Sequence, residues 1–134
     1  MGLFDEISGA IGTLFNSLSE RDKQKVSKIT APFLLFKLYR KPDIWMAGYL
    51  LTWAEVISTE MFYEENSESV RQEVCKKVLG NSDGIKLYEE FCNQLEYPTK
   101  QMDDGCKSAG KDYKEWFVQQ KIEGPNRWYK YCIK

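Results

Sequence analysis

Clustered carboxylates are the residues of this chain whose types and spacing could support chemistry. Glu64, Glu65 and Glu68 lie close together, and Glu89–Glu90 and Asp103–Asp104 are further acidic pairs. Paired carboxylates can hold a hard cation or share a proton. Acidic pairs at helix ends are usually solvated, however, and none of these matches a calcium-binding loop. We therefore expect no metal, no cofactor and no catalytic residue, and a small carboxylate-dependent enzyme stays an alternative.

The full sequence contains no histidine. Its absence removes Ser–His and Cys–His dyads and most catalytic zinc sites. The cysteines Cys75, Cys92, Cys106 and Cys132 show no C-x-x-C spacing. Because the first residues carry acid where an export signal carries base, we expect reduced thiols and a cytoplasmic protein. If those residues are a processing artefact, two disulfides are the alternative.

The elements that would present a binding surface begin with residues 1–18, which we predict to form an amphipathic helix. Its apolar residues recur with the helical period and share one face. They are Leu3, Phe4, Ile7, Ala10, Ile11, Leu14, Phe15 and Leu18. The opposite face carries Asp5 and Glu6, and no base precedes Arg21.

Three surfaces could receive this predicted helix. It could pack on the core of its own chain, dock in a groove on another protein or on a second copy, or lie on a membrane. The acidic polar face makes the membrane the weaker alternative, because membrane-surface helices usually carry Lys or Arg. For docking on a protein, the candidate partner-binding residues are Phe4, Ile7, Ile11, Leu14 and Phe15.

Residues 19–134 are predicted to form a single helical domain. Asp43 is a candidate N-cap for a central helix over residues 44–62, which is apolar on nearly every side and therefore buried. Ser67 or Asn66 is predicted to begin the next helix, and Gly80 to end it.

Three further segments carry weaker patterns. Thr30-Ala31-Pro32 predicts the start of a short helix that ends at Pro42. The polar residues 100–110 contain two glycines and predict a loop, with a helical turn near Met102 as an alternative. The alternating residues 127–134 predict a short extended tail, with a strand or a last helical turn as alternatives.

Bases and aromatic rings alternate near the C-terminus and suggest a secondary aromatic–basic surface. Its candidate residues are Trp116, Arg127, Trp128, Tyr129 and Lys130. Such a mixture can bind single-stranded nucleic acid. The net charge is −1 and no nucleic-acid motif accompanies the rings, so we expect no nucleic acid partner.

Taken with its 134 residues and 43% hydrophobic content, the chain is expected to be a compact all-α single-domain bundle of about five or six helices. The expected function is that of a non-enzymatic protein–protein interaction module, such as an adaptor, inhibitor or accessory subunit. A peripheral membrane protein attached through the N-terminal helix is the second hypothesis.

Overall fold

The computed structural model describes residues 18–133, which form six helices and no strand. This confirms the all-α prediction. The helices are α1 (Glu20–Thr30), α2 (Ile44–Phe62), α3 (Glu68–Leu79), α4 (Asn81–Gln94), α5 (Lys100–Tyr113) and α6 (Asn126–Ile133). A 3₁₀ turn, Ala31–Phe33, follows α1, and a π-helical turn, Lys114–Val118, follows α5.

The central helix is α2, as the sequence predicts. The Asp43 carboxylate accepts a hydrogen bond from the backbone N–H of Met46, at 3.2 Å, and so caps the first turn. The helix ends at Phe62, and the next residue, Tyr63, adopts the left-handed conformation. Most of its residues are buried, since α1, α3, α4 and α5 all contact it. The predicted boundaries of α3 are also confirmed, because Ser67 caps it and Gly80 follows its last residue.

The most extensive helix–helix contact joins α2 and α5. Two glycines bring the backbones together: a Cβ on Gly105 would lie 2.1 Å from the Trp45 carbonyl oxygen, and one on Gly48 would lie 2.7 Å from that of Met102. The prediction of a loop over residues 100–110 is therefore wrong. Gly105 is a contact residue inside a helix that Thr99 caps, and it does not mark a turn.

An aromatic cluster fills the core between α2, α6 and the 3₁₀ turn. The Phe33 ring packs edge-on against Tyr49, Trp53 and Trp128, with ring centroids 5.9, 5.8 and 4.9 Å apart. Tyr49 and Trp53 lie one helical turn apart on α2 and stack on each other. Edge-on and offset-stacked contacts are the favoured geometries of aromatic pairs, so this cluster fixes α6 against the central helix.

Two predicted elements differ from the observed ones. The short helix expected before Pro42 extends only through the 3₁₀ turn, and residues 34–43 form a connecting loop. The C-terminal residues form helix α6, not an extended tail, because the helical repeat places Trp128 and Cys132 together in the core.

The predicted amphipathic helix, with its anchors Phe4, Ile7, Ile11, Leu14 and Phe15, lies outside the described residues apart from Leu18. The Leu18 side chain is half-buried and packs against the core. Within residues 18–133, no helix is both long enough and apolar enough to cross a membrane.

Candidate binding surfaces

The structure separates the residues of the predicted aromatic–basic surface. Trp128 is only 2% exposed and belongs to the core, so the prediction that it lies on a binding surface is wrong. Trp116 is half-buried and stacks on Trp53 at 5.6 Å. Tyr129 is also half-buried, and its hydroxyl donates a hydrogen bond to the Pro32 carbonyl oxygen. Of the five candidates, Lys130 is the exposed one.

Arg127, the remaining candidate, belongs to a buried polar network around Asp112. The Asp112 carboxylate accepts hydrogen bonds from the Tyr49 hydroxyl at 2.6 Å, from the Arg127 backbone N–H at 2.8 Å and from Arg127 Nη1 at 2.7 Å. Burial, and next the hydrogen bond to Asp112, raise the pKa of Tyr49 well above its usual range. The network joins α2, α5 and α6, and its donors occupy both carboxylate oxygens.

Arg127 also forms a bidentate contact with Glu115, at 2.7 and 3.1 Å. The hydrogen bond from Arg127 lowers the pKa of Glu115, and the hydrogen bond to Glu115 contributes most to raising the pKa of Arg127. A guanidinium held by two carboxylates is committed to the fold and is poorly placed to bind phosphate. The role of this cluster is therefore to position α6.

The acidic pairs of the sequence are held in local ion pairs or are solvated. Glu64 accepts hydrogen bonds from Lys25 and Arg21, and these, the one from Lys25 most, lower its pKa. Asp103 and Asp104 pair along α5, each at 2.7 Å, with Lys107 and Lys100 respectively. Among residues 18–133, no group of three or more His, Cys, Asp or Glu side chains is arranged to hold a metal ion.

All four cysteines are free thiols in very different environments. Cys75 and Cys132 are buried, and burial raises the pKa of each thiol to about 12. Burial also raises the pKa of the half-buried Cys106. Cys92 is exposed at the edge of a groove. The two thiols in the core are therefore poor nucleophiles at neutral pH.

That groove lies between α2, α3 and α4 and has a volume of about 450 Å³. Its lining combines an apolar floor with charged side chains at the edge: Leu51, Thr52, Glu55, Val56, Glu65, Arg71, Phe91, Cys92 and Leu95. Leu95 is 60% exposed although it continues the apolar face of α4. A concave apolar surface with a few polar groups at its edge is typical of a binding site.

The charges at the groove edge are mostly acidic. Arg71 Nη1 donates a hydrogen bond to the Asn66 carbonyl oxygen and lies 3.7 Å from Glu55 Oε1, an oxygen that has no hydrogen bond. Glu65 lines the same groove, and Glu68 and Glu89 line an adjoining depression. The groove edge thus carries an excess of negative charge.

A second apolar surface lies on the connecting loop. Leu34, Leu35 and Phe36 are 48, 73 and 52% exposed, and Tyr39 is 71% exposed. Lys37 and Lys41 of the same loop are also exposed, and neither has an ion pair with another described residue. Solvent-exposed clusters of large apolar side chains usually mark a contact with another molecule.

Comparison of the chain with family models, with curated proteins and with solved structures gives no match. Its function therefore has to be inferred from its own surfaces.

Neither surface was predicted as a site from the sequence. The available signal is the helical spacing of Phe91 and Leu95, which puts both on one apolar face that continues to the end of α4. No signal in the sequence assigns Arg71 to the groove. The exposure of Leu35 depends on the connecting loop replacing the helix that Thr30-Ala31-Pro32 predicts.

Proposed function

We propose that this protein is a non-enzymatic interaction module that binds an amphipathic helix of another protein in the groove between α2, α3 and α4. The observation that carries the proposal is the apolar floor of the groove, which continues to the exposed side chain of Leu95. A helix presents apolar side chains at positions i, i+3 or i+4, and i+7, and these are the anchors that such a groove accepts.

The charges at the groove edge select the partner. Glu55, Glu65 and Arg71 line the groove. Arg71 is engaged with the Asn66 carbonyl oxygen and lies 3.7 Å from Glu55, so Glu65 is the acid of the groove lining without an ion pair among the described residues. A partner helix with Lys or Arg beside its apolar anchors would complement this acidic edge.

The same argument disfavours a second copy of this chain as the occupant. The predicted N-terminal helix has suitable apolar anchors, but Asp5 and Glu6 on its polar face would meet the acidic groove edge. Like charges at an interface suppress association. The proposed occupant is therefore a basic amphipathic helix of a different protein.

The non-enzymatic part of the proposal is supported by how the ionisable groups are used. Asp112 has both carboxylate oxygens occupied by donors from its own fold. The thiols of Cys75 and Cys132 are buried and protonated at neutral pH. These groups stabilise the bundle and leave the groove as a site for recognition.

A displayed library of amphipathic helices, varied in anchor spacing and in the charge of the polar face, tests this function with the full chain as target. We expect enriched helices to carry apolar anchors at helical spacing together with Lys or Arg. Leu95→Glu should weaken their binding at least about tenfold, since burying a leucine contributes about 1.5–3 kcal/mol.

The matched control is Leu35→Glu, which makes the same change at an exposed leucine outside the groove. It should leave helix binding unchanged. No enrichment, or enriched helices that bind Leu95→Glu as well as the unmodified protein, would overturn the proposal. Preferential enrichment of a helix with the sequence of residues 1–18 would overturn it in favour of a second copy.

A further inference from the structure

The connecting loop, residues 34–43, is held firmly against α6 although its apolar residues face solvent. The Tyr39 backbone N–H donates a hydrogen bond to the Cys132 carbonyl oxygen at 3.1 Å. The Arg40 guanidinium lies 3.8 Å above the centre of the Tyr131 ring, and its Nη1 donates to the Tyr131 carbonyl oxygen. The Phe36 ring contacts that of Tyr129, with centroids 4.9 Å apart. These contacts hold the loop beside α6 while the apolar tip, Leu34, Leu35 and Phe36, stays exposed.

The tip presents apolar side chains to solvent. Leu35 is its most exposed residue, at 73%, and Leu34 and Phe36 on either side are about half exposed. A helical peptide needs a groove in which to place its anchors. Exposed apolar side chains on a loop instead suit a medium into which they can insert, and the boundary between lipid headgroups and acyl chains is such a medium.

The charges of the loop indicate the kind of lipid surface. Lys37, Arg40 and Lys41 lie beside the apolar tip, and Asp43 is the sole acid of the loop. Asp43 caps α2 and accepts a hydrogen bond from the Tyr131 hydroxyl, and Arg40 lies 3.6 Å from it. Lys37 and Lys41 thus remain available to anionic headgroups.

We propose that the connecting loop is a membrane-contact site, in which Leu34, Leu35 and Phe36 insert into the interface of an anionic bilayer while Lys37 and Lys41 contact its headgroups. The site lies on a different part of the surface from the α2–α4 groove and does not depend on helix binding there. The loop is also a different segment of the chain from residues 1–18, the membrane anchor of the second hypothesis.

Flotation of the full chain with lipid vesicles tests this proposal. We expect the protein to float with vesicles of phosphatidylcholine that contain phosphatidylserine and to stay at the bottom with phosphatidylcholine alone. Leu35→Glu should weaken binding about tenfold. Leu95→Glu, with the same change in charge at an exposed leucine of the groove, should bind as the unmodified protein does.

A second variant tests whether the lysines of the loop contact anionic headgroups. Lys37→Glu should weaken binding to phosphatidylserine vesicles, and added salt should weaken binding of the unmodified protein. No flotation with either vesicle would overturn the proposal. Flotation that Leu35→Glu leaves intact and Phe4→Glu abolishes would also overturn it, because the N-terminal segment would then be the anchor. Neither result would bear on helix binding, which we expect to weaken in Leu95→Glu and to stay unchanged in Leu35→Glu.

Discussion

Arg127 contacts the buried Asp112 carboxylate twice, once through its backbone N–H and once through its guanidinium. The backbone contact holds the start of α6, and the guanidinium contact adds an ion pair between the same two residues. The Tyr49 hydroxyl completes the site from α2. One carboxylate therefore fixes three helices, and the stability of the bundle should depend on its charge.

We predict that Asp112→Asn lowers the free energy of unfolding by about 2–3 kcal/mol. The amide would remove the negative charge beside Arg127 and point an N–H group at one of the present donors. Urea unfolding followed by far-UV circular dichroism measures the change. The matched control is Asp104→Asn on the same helix, which breaks an exposed ion pair with Lys100 and should cost less than about 1 kcal/mol. Equal losses in the two variants would contradict a structural role for Asp112.

Two glycines of α5 should respond in opposite directions to the same substitution. Gly105→Ala should lower the free energy of unfolding by at least about 2 kcal/mol, because the added Cβ would collide with the Trp45 carbonyl oxygen. Gly110→Ala should raise it by about 0.5–1 kcal/mol, since nothing lies within 4 Å of the added Cβ and alanine favours a helix. Thermal unfolding distinguishes the two. A stabilising Gly105→Ala would mean that α2 and α5 do not approach each other as described.

The buried thiol of Cys75 should make stability depend on pH in the alkaline range. Its pKa rises from 9.0 to about 12 on folding, so the folded state holds the proton more tightly than the unfolded chain. This stabilisation is fully present below pH 9 and is lost as the pH rises toward 12, by up to about 1.4 kcal/mol per pH unit.

Cys75→Ala should remove that part of the pH dependence, which unfolding curves between pH 8 and about pH 10.5 would reveal. The substitution also removes packing contacts, which lowers the free energy of unfolding at every pH. The informative quantity is therefore the slope of that free energy against pH. Val74→Ala, at the neighbouring buried residue, removes packing but no thiol; it is the control and should keep the slope of the unmodified protein. An unchanged slope in Cys75→Ala would contradict a protonated thiol at that position.

Local signals in the sequence predicted the parts of the fold that depend on local chemistry. Asp43 and Ser67 are N-caps whose side chains bond the first turn of the following helix, and Gly80 ends α3. Residues 44–62 were predicted to be buried because they are apolar all round, and the helices around α2 bury them. For the caps the decisive interaction lies within a few residues of the chain, and for α2 the apolar composition of the helix alone indicates that it is buried.

The features that escaped prediction depend on contacts between distant segments. Taken alone, Gly105 suggests a loop. Its role inside a helix follows only from its close contact with Trp45, which lies 60 positions away in the sequence. Trp128 resembles a surface aromatic until Phe33 contacts its ring. The groove is harder still to predict, because its lining comes from three helices whose crossing geometry no local pattern encodes.

A helix bound in the groove between α2, α3 and α4 should protect the backbone of the groove lining. Hydrogen–deuterium exchange of the full chain measures this protection, with and without a saturating basic amphipathic helix chosen from the displayed library. We expect slower exchange in residues 51–56 and 91–95, which contain most of the groove lining, and unchanged exchange in residues 34–43. Slower exchange in residues 34–43 alone, or no change in the groove segments while the helix is bound, would contradict helix binding in this groove.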